Sequence, residues 1–330
     1  MRDHSRRSFL GLAAAVPALA ATETTRMRGG SERLAHPLDG IRRENITIRD
    51  IKVTPMSYEL PRDKQWLTGT FITWKTDAVL VQVFTDQGIV GIGESSPYGG
   101  PADIKEFIET FVRPVIVGKN PFDVEYLACA WAGGRPNYAA WAGVDAALWD
   151  VIGKAKNVPV YKLLAIDREP NPHIRMYASG GVEYAWYKQP EDLIDEAVRH
   201  KFDFKPWIDR DAYDIVQPDC NVAGITEAWH IAHIANLRKK YCCPHNWHGG
   251  LTTMANAALV AAIPNRLVLE LNQTYNPLKE ALFKEPLVVK NGYMDLPNKP
   301  GFGVDLSDDV ARKFPFLPGT YSRPNADLPS

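Results

Sequence analysis

Apolar and polar residues alternate over 51–58, the pattern of a half-buried strand. A denser apolar run, Ala78-Val79-Leu80-Val81-Gln82-Val83-Phe84, predicts a second strand. Asp86-Gln87-Gly88 then turns the chain into a third, Ile89-Val90-Gly91-Ile92-Gly93-Glu94. Past that point the period changes from two to 3.6. Residues 103–111 and 138–155 carry helical spacing, and the second stretch puts Val144, Ala147, Leu148, Val151 and Ile152 on one face. Pro159 and Leu163-Leu164 close this unit, which reads as an antiparallel meander followed by helices.

A different rhythm begins at residue 173. The segment HIRMYAS predicts a strand over 173–179, followed by Gly180-Gly181 and a helix from near Pro190 through Leu193, Ile194, Ala197 and Val198. Three further apolar runs each end in one titratable residue. Asp214-Ile215-Val216-Gln217-Pro218 ends in Asp219, the run from Tyr241 ends in His245, and Leu267-Val268-Leu269 ends in Glu270. Titratable residues at the C-terminal ends of successive parallel strands are where a (β/α) barrel keeps its chemistry. Gly249-Gly250-Leu251-Thr252-Thr253 opens an Ala-rich helix that stops at Pro264. Glycines with a Thr N-cap at a helix start make a candidate anion site for a carboxylate or phosphate. Asn291-Gly292 marks a hairpin turn within PLVVKNGYMDLP.

The meander and helices ending in ALWDVIGKAKNVPVYKLL resemble the capping domain of the enolase superfamily. The strand ends at Asp219, His245 and Glu270 resemble barrel strands six to eight of its mandelate racemase/muconate lactonizing enzyme branch, in particular the acid-sugar dehydratases. That resemblance implies a magnesium-dependent lyase or isomerase that removes the proton α to a carboxylate. Asp219 and His245 would be its acid/base pair and Glu270 a substrate contact. It further implies that the loops holding Trp66, Phe71 and Trp74, and Tyr98, close over the substrate. Candidate substrate-binding residues are therefore Trp74, Tyr98, Gly249, Gly250 and Thr252. The ligand would be a small acid-sugar carboxylate, and the protein a homo-oligomer.

Length sets a limit on this reading. A (β/α)8 barrel needs about 250 residues, whereas 160 run from Asn171 to Ser330. With a C-terminal return segment set aside, roughly 110 remain, enough for four βα units. The expected fold is an α+β capping domain plus a truncated (β/α) barrel of about four of eight units, with strands two to five missing near Lys201. Those strands carry the family's lysine base and its magnesium carboxylates. The pair Lys154-Ala155-Lys156 lies on a cap helix, and Lys205 precedes a proline, which places it in a loop. Carboxylates at Glu183, Glu191, Asp192, Asp195, Glu196, Asp203, Asp209, Asp211 and Asp214 do not end apolar strand runs. Magnesium is thus the cofactor of the intact family and none is expected here. Cys242, Cys243, His245 and His248 crowd together, but their spacing is not that of a zinc finger or ribbon, so no metal ligands are expected.

Two function classes follow. One is a dehydratase or racemase by descent that is inactive as written. The other is a non-catalytic remnant, or a periplasmic carboxylate-binding or self-associating protein, since four parallel strands leave open edges.

Composition adds compartment and partners. A formal charge of −1 with no basic stripe leaves no footprint for nucleic acid. Ser5-Arg6-Arg7-Ser8-Phe9-Leu10, an Ala/Leu-rich stretch and Ala18-Leu19-Ala20 resemble a twin-arginine export signal over 1–21, directing the protein to the periplasm. About 12 apolar residues broken by Pro17 are too few for a bilayer needing about 20, so no membrane anchor is expected. Residues 22–45 read as a flexible leader, 46–165 as the cap, 171–282 as the partial barrel and 283–330 as the return segment. Four cysteines do not form a disulfide framework, and buried thiols are expected.

Overall fold

The computed structural model describes residues 36–67, 71–129, 135–179 and 214–324. The expected export signal, the helix near Pro190, Lys205 and the carboxylates from Glu183 to Asp211 lie outside the described residues. No helix among the described residues is long and apolar enough to cross a membrane.

The alternating and apolar runs become a twisted antiparallel sheet because each presents one face for burial. β1 spans Ile48–Glu59; the short β2 (Trp66–Leu67) and β3 (Phe71–Thr73) follow; then come β4 (Lys75–Thr85) and β5 (Val90–Ser95). β4 lies between β1 and β5, with Val53 opposite Val81 and Gly93 opposite Val81 on the other edge. The expected meander is present, with its first two strands longer and the third shifted by one residue. The helical stretch at 103–111 is instead α1 (Pro101–Phe107), a π-turn (Ile108–Val112) and α2 (Arg113–Ile116). Pro114 explains the broken ladder, since it lacks the N–H that a continuous helix would use.

After α3 (Val124–Cys129), the long α4 (Arg135–Lys156) packs across β5, and α5 (Val160–Leu164) follows. Glycine makes that approach possible. A Cβ on Gly93 would sit 2.0 Å from the Gly143 carbonyl oxygen, so backbone meets backbone with no room for a side chain.

α4 also organises what comes after it. Asp150 is buried and accepts from Ile92 N (2.9 Å), Phe302 N (2.8 Å) and Lys154 Nζ (2.6 Å), joining the cap sheet to the C-terminal segment. One turn earlier, Asp145 reaches α6 (Cys220–Leu237). That helix breaks at Gly224 (φ 77°), and Asp145 caps the restart by accepting from Thr226 N at 3.0 Å and Thr226 Oγ1 at 2.6 Å. The cap comes from a residue 81 positions away in the chain, where local sequence would place a Ser or Asp just before the helix.

The parallel strands are short. β6 (His173–Ser179) pairs with β9 (Leu269–Asn272), and β7 (Ile215–Val216) pairs with β8 (Tyr241–Cys242). A parallel bridge from Cys242 to Arg266 joins the two pairs, so the order in space is β7, β8, β9, β6. α7 (Gly250–Ala262) is buried along its whole length, and α8 (Pro277–Ala281) follows β9. β10 (Val289–Lys290) and β11 (Tyr293–Asp295) form the Asn291-Gly292 hairpin, with both turn residues at positive φ as a type I′ turn requires. After α9 (Val310–Lys313), β12 (Ser322–Pro324) returns to pair with β3 on the cap. Trp74 Nε1 donates to Thr320 O at 2.9 Å beside it.

Two strand readings need correction. The run expected over Asp214–Pro218 is ordered as a strand only at Ile215–Val216, and Asp214 is an exposed residue facing Lys240. Glu270 does not end its strand; it is the second residue of β9 and completely buried. The strand runs on because Leu271 and Asn272 continue the parallel ladder opposite Ala178 and Ser179 of β6, while Glu270 is held by Asn246, whose N–H donates to Glu270 Oε2 and whose Nδ2 donates to Glu270 O, both at 2.8 Å.

Candidate active site

The loops after β7 and β8 bring Asp219 and His245 together. Asp219 is the N-cap of α6, and its Oδ1 accepts from Asn221 N (2.9 Å) and Asn256 Nδ2 (3.2 Å). These two donors hold the carboxylate plane and leave Oδ2 facing His245, whose Nδ1 lies 2.8 Å away. Both side chains are buried. Burial pushes the Asp219 carboxyl up, but the bond to His245 and the neighbouring imidazole charges outweigh it, so the group is held below its ordinary range. Asn256 Nδ2 also donates to His245 O at 3.0 Å, tying the loop to α7.

His248 joins this pair. Its Nε2 lies 3.5 Å from Asp219 Oδ2, and Asp219, His245 and His248 place their ligand atoms within 4.8 Å of one another. Desolvation drives the His248 imidazole down to about 4, against the pull of Asp219. It is therefore neutral at pH 7. The expectation of no metal ligands thus meets a compact set of three. Residues 245 and 248 sit in a loop, not on a strand, so strand alternation does not separate them. The crowding cysteines take no part in it: all four cysteines are free thiols, with Cys220, Cys242 and Cys243 buried and Cys129 exposed.

The glycine-rich start of α7 is occupied by the protein itself. The N-cap is Gly249 with no side-chain cap, so Thr252 does not cap the helix. Gly249 N and Thr252 N each donate to the Glu94 carboxylate at 3.2 Å. A Cβ on Gly249 would fall 2.2 Å from Glu94 Oε1, whereas Gly250 faces the Phe283 ring. The anion site expected for a ligand is filled by a side chain from the end of β5, and Gly249, Gly250 and Thr252 are engaged in internal packing. Burial raises Glu94 to about 7 despite the bonds it accepts. Glu94 lies near the end of an antiparallel cap strand, outside the parallel strand ends where a barrel keeps its titratable residues. The same signal, a carboxylate closing an apolar run, is present in Ile92-Gly93-Glu94.

Tyr98 lies over the cluster, its ring 4.7 Å from His248 and 5.3 Å from Tyr321. With Trp66, Trp247 and His248 it lines a cleft of about 40 Å³ between cap and strand ends. Trp74 does not line the cleft and is held by Thr320. A larger cavity of about 840 Å³ lies by the β10–β11 hairpin and shares no residue with the cluster.

A cap sheet closing over an Asp–His pair at the ends of parallel strands is the arrangement of the cap-and-barrel class. Residues 63–165 match the mandelate racemase / muconate lactonizing enzyme N-terminal domain, and residues 184–310 match the enolase C-terminal domain-like family. The chain belongs to the mandelate racemase/muconate lactonizing enzyme family of the enolase superfamily. It is 23% identical to an arabinonate dehydratase of Saccharolobus solfataricus over 81% of this chain and 99% of that one. It is 25% identical to a D-xylonate dehydratase of Haloferax volcanii, over 84% and 90% of the two chains. An enolase superfamily member from Polaromonas sp. JS666 superposes with a TM-score of 0.72 at 21% identity, covering 83% of this chain and 98% of the other. The fold is thereby that of a capping domain with a (β/α) barrel.

Members of the family use magnesium. That ion takes hard oxygen ligands in octahedral geometry. Asp219, His245 and His248 offer one carboxylate and two imidazoles, so this set does not fit magnesium.

Proposed function

We propose that this chain is an acid-sugar dehydratase or racemase by descent that keeps one half of a proton-transfer site and is catalytically silent. The observation that carries it is the buried Asp219–His245 contact of 2.8 Å. Such a pair holds one imidazole tautomer and raises its basicity, which suits His245 to exchange the proton α to a carboxylate. The likeness to two sugar-acid dehydratases supports a small acid-sugar carboxylate as the ligand.

Silence follows from what would have to oppose His245. The lysines of the Lys-x-Lys pair are committed elsewhere: Lys154 Nζ bonds Asp150 and Val90 O, and Lys156 Nζ bonds Glu44 and Arg42 O. The alignment with the arabinonate dehydratase runs over 374 positions yet spans 81% of this chain, so about a hundred positions of the relative face no residue here. The xylonate dehydratase alignment, 394 positions over 84% of this chain, leaves a similar shortfall. Both are consistent in length with a barrel of about four units. The carboxylate-binding alternative is weakened, because Glu94 takes the N–H groups it would need.

Deuterium incorporation at Cα, followed by NMR over a panel of sugar acids with millimolar magnesium, tests this reading. Exchange should stay at background. Magnesium-dependent exchange that disappears in Asp219→Asn would overturn the silence and make the chain an enzyme.

Export by the twin-arginine route is part of the same proposal, supported by Arg6-Arg7 ahead of Phe9-Leu10 and by the Ala18-Leu19-Ala20 site. Replacing Arg6 and Arg7 with Lys should leave the precursor in the cytoplasm. Unchanged export in that variant would point to the general secretory route.

A further inference from the structure

We propose that Asp219, His245 and His248 form a binding site for a borderline divalent transition metal of the zinc class, distinct in chemistry from the family's magnesium. Geometry carries the assignment. A tetrahedral ion with bonds of about 2.0–2.2 Å to nitrogen and oxygen separates its ligand atoms by about 3.4 Å. His248 Nε2 stands 3.5 Å from Asp219 Oδ2, at that separation and beyond a good hydrogen bond. The same nitrogen is buried and has no hydrogen-bond partner. A buried ring nitrogen of this kind carries a cost unless something not belonging to the chain satisfies it. His245 Nδ1, at 2.8 Å from the same oxygen, needs an opening of about half an ångström to reach ligand spacing, within the range of a small torsional change.

The surroundings support a metal over a third hydrogen bond. Asp219 Oδ1 is saturated by Asn221 and Asn256, which aims the free Oδ2 at both imidazoles, as carboxylates bonded by an outer shell are aimed in metal sites. Three protein ligands leave a fourth position open. Glu270 Oε1 is also buried without a hydrogen-bond partner, and its carboxylate acts electrostatically on His248. The cleft beneath Tyr98 includes His248 and supplies an entry path. Two imidazoles and one carboxylate are the donors that zinc-class ions prefer and magnesium does not.

The test uses the mature chain, stripped with a chelator, titrated with Zn²⁺ by calorimetry and with Co²⁺ by visible absorption. We expect one equivalent bound at micromolar protein, undisturbed by millimolar Mg²⁺, with cobalt d–d bands and no thiolate charge-transfer band. His248→Ala should weaken binding by at least about 100-fold, since loss of an outer-shell partner alone costs 10–100-fold. Cys243→Ser should leave it unchanged. Far-UV circular dichroism checks that each variant folds, and His248→Gln replaces the alanine variant where it does not. Absence of stoichiometric binding, or His248 variants that bind as the parent does, would overturn the site. A thiolate band would do so as well without any variant, by moving the metal to the cysteines. The outcome is independent of turnover on sugar acids, so this inference and the proposed function fail separately.

Discussion

Trp149→Ala should remove about 3–5 kcal/mol of folding stability, the usual cost of emptying a fully buried tryptophan site. Trp149 is among the largest completely buried side chains, on the face of α4 that meets α6. Its Nε1 donates to Thr226 Oγ1 at 2.9 Å, and that hydroxyl donates to Asp145 Oδ1 at 2.6 Å. Truncation therefore opens a cavity and strips the donor that Thr226 Oγ1 accepts from at the restart of α6. A domain of this kind holds about 5–15 kcal/mol in total, so about a fifth or more of the margin would be lost. Trp149→Phe keeps most of the volume and removes the hydrogen bond, which should cost about 1–2 kcal/mol. Urea denaturation of the three proteins reads both numbers. A loss below about 1 kcal/mol in the alanine variant would show that α4 and α6 do not share a packed core.

The second large effect is a pH dependence at Glu94. Burial raises this carboxyl from 4.5 to about 7, so the folded protein holds its proton more tightly than the unfolded chain does. The resulting stabilisation is complete below pH 4.5 and is lost as pH rises through 7. At about 1.4 kcal/mol per pH unit, the swing is about 3 kcal/mol. Glu94→Gln abolishes the titration. Its constant cost from altered bonding to Gly249 and Thr252 does not change with pH. The parent's stability minus that of the variant should therefore fall by about 3 kcal/mol between pH 4.5 and 7.5. Asp145, raised to about 6, and His248, lowered to about 4, titrate in both proteins and cancel in the difference. Parallel stability curves would mean that Glu94 is not desolvated between the cap and α7. Because the carboxylate joins β5 to the start of α7, the measurement also reports how firmly the cap sits on the strand ends.

Local pattern determined the cap. The alternation over 51–58, the apolar run through Val79 and Val81, and the helical face of Val144, Leu148 and Val151 each specify an element whose burial follows from its own period. The Asn291-Gly292 turn was equally legible, because positive φ at two successive residues is a local demand. Pattern also marked Asp219 and His245, since each follows an apolar run into a loop. It had no means of showing their 2.8 Å contact, which depends on the local bond from Asn221 N and on Asn256, 37 residues away, steering the carboxylate together. Periodicity put Glu270 at a strand end; pairing of Leu271 and Asn272 with β6 put it inside β9. The glycines opening α7 have the signature of an anion site, and they hold a carboxyl group. That it is Glu94, 155 residues from Gly249, was decided by the packing of cap on barrel. His248 likewise turns toward Asp219 because the loop after β8 is folded back by Asn246 and Asn256. Period and propensity act over a few residues, whereas the pairing of buried polar groups is settled by whichever distant segment arrives to satisfy them.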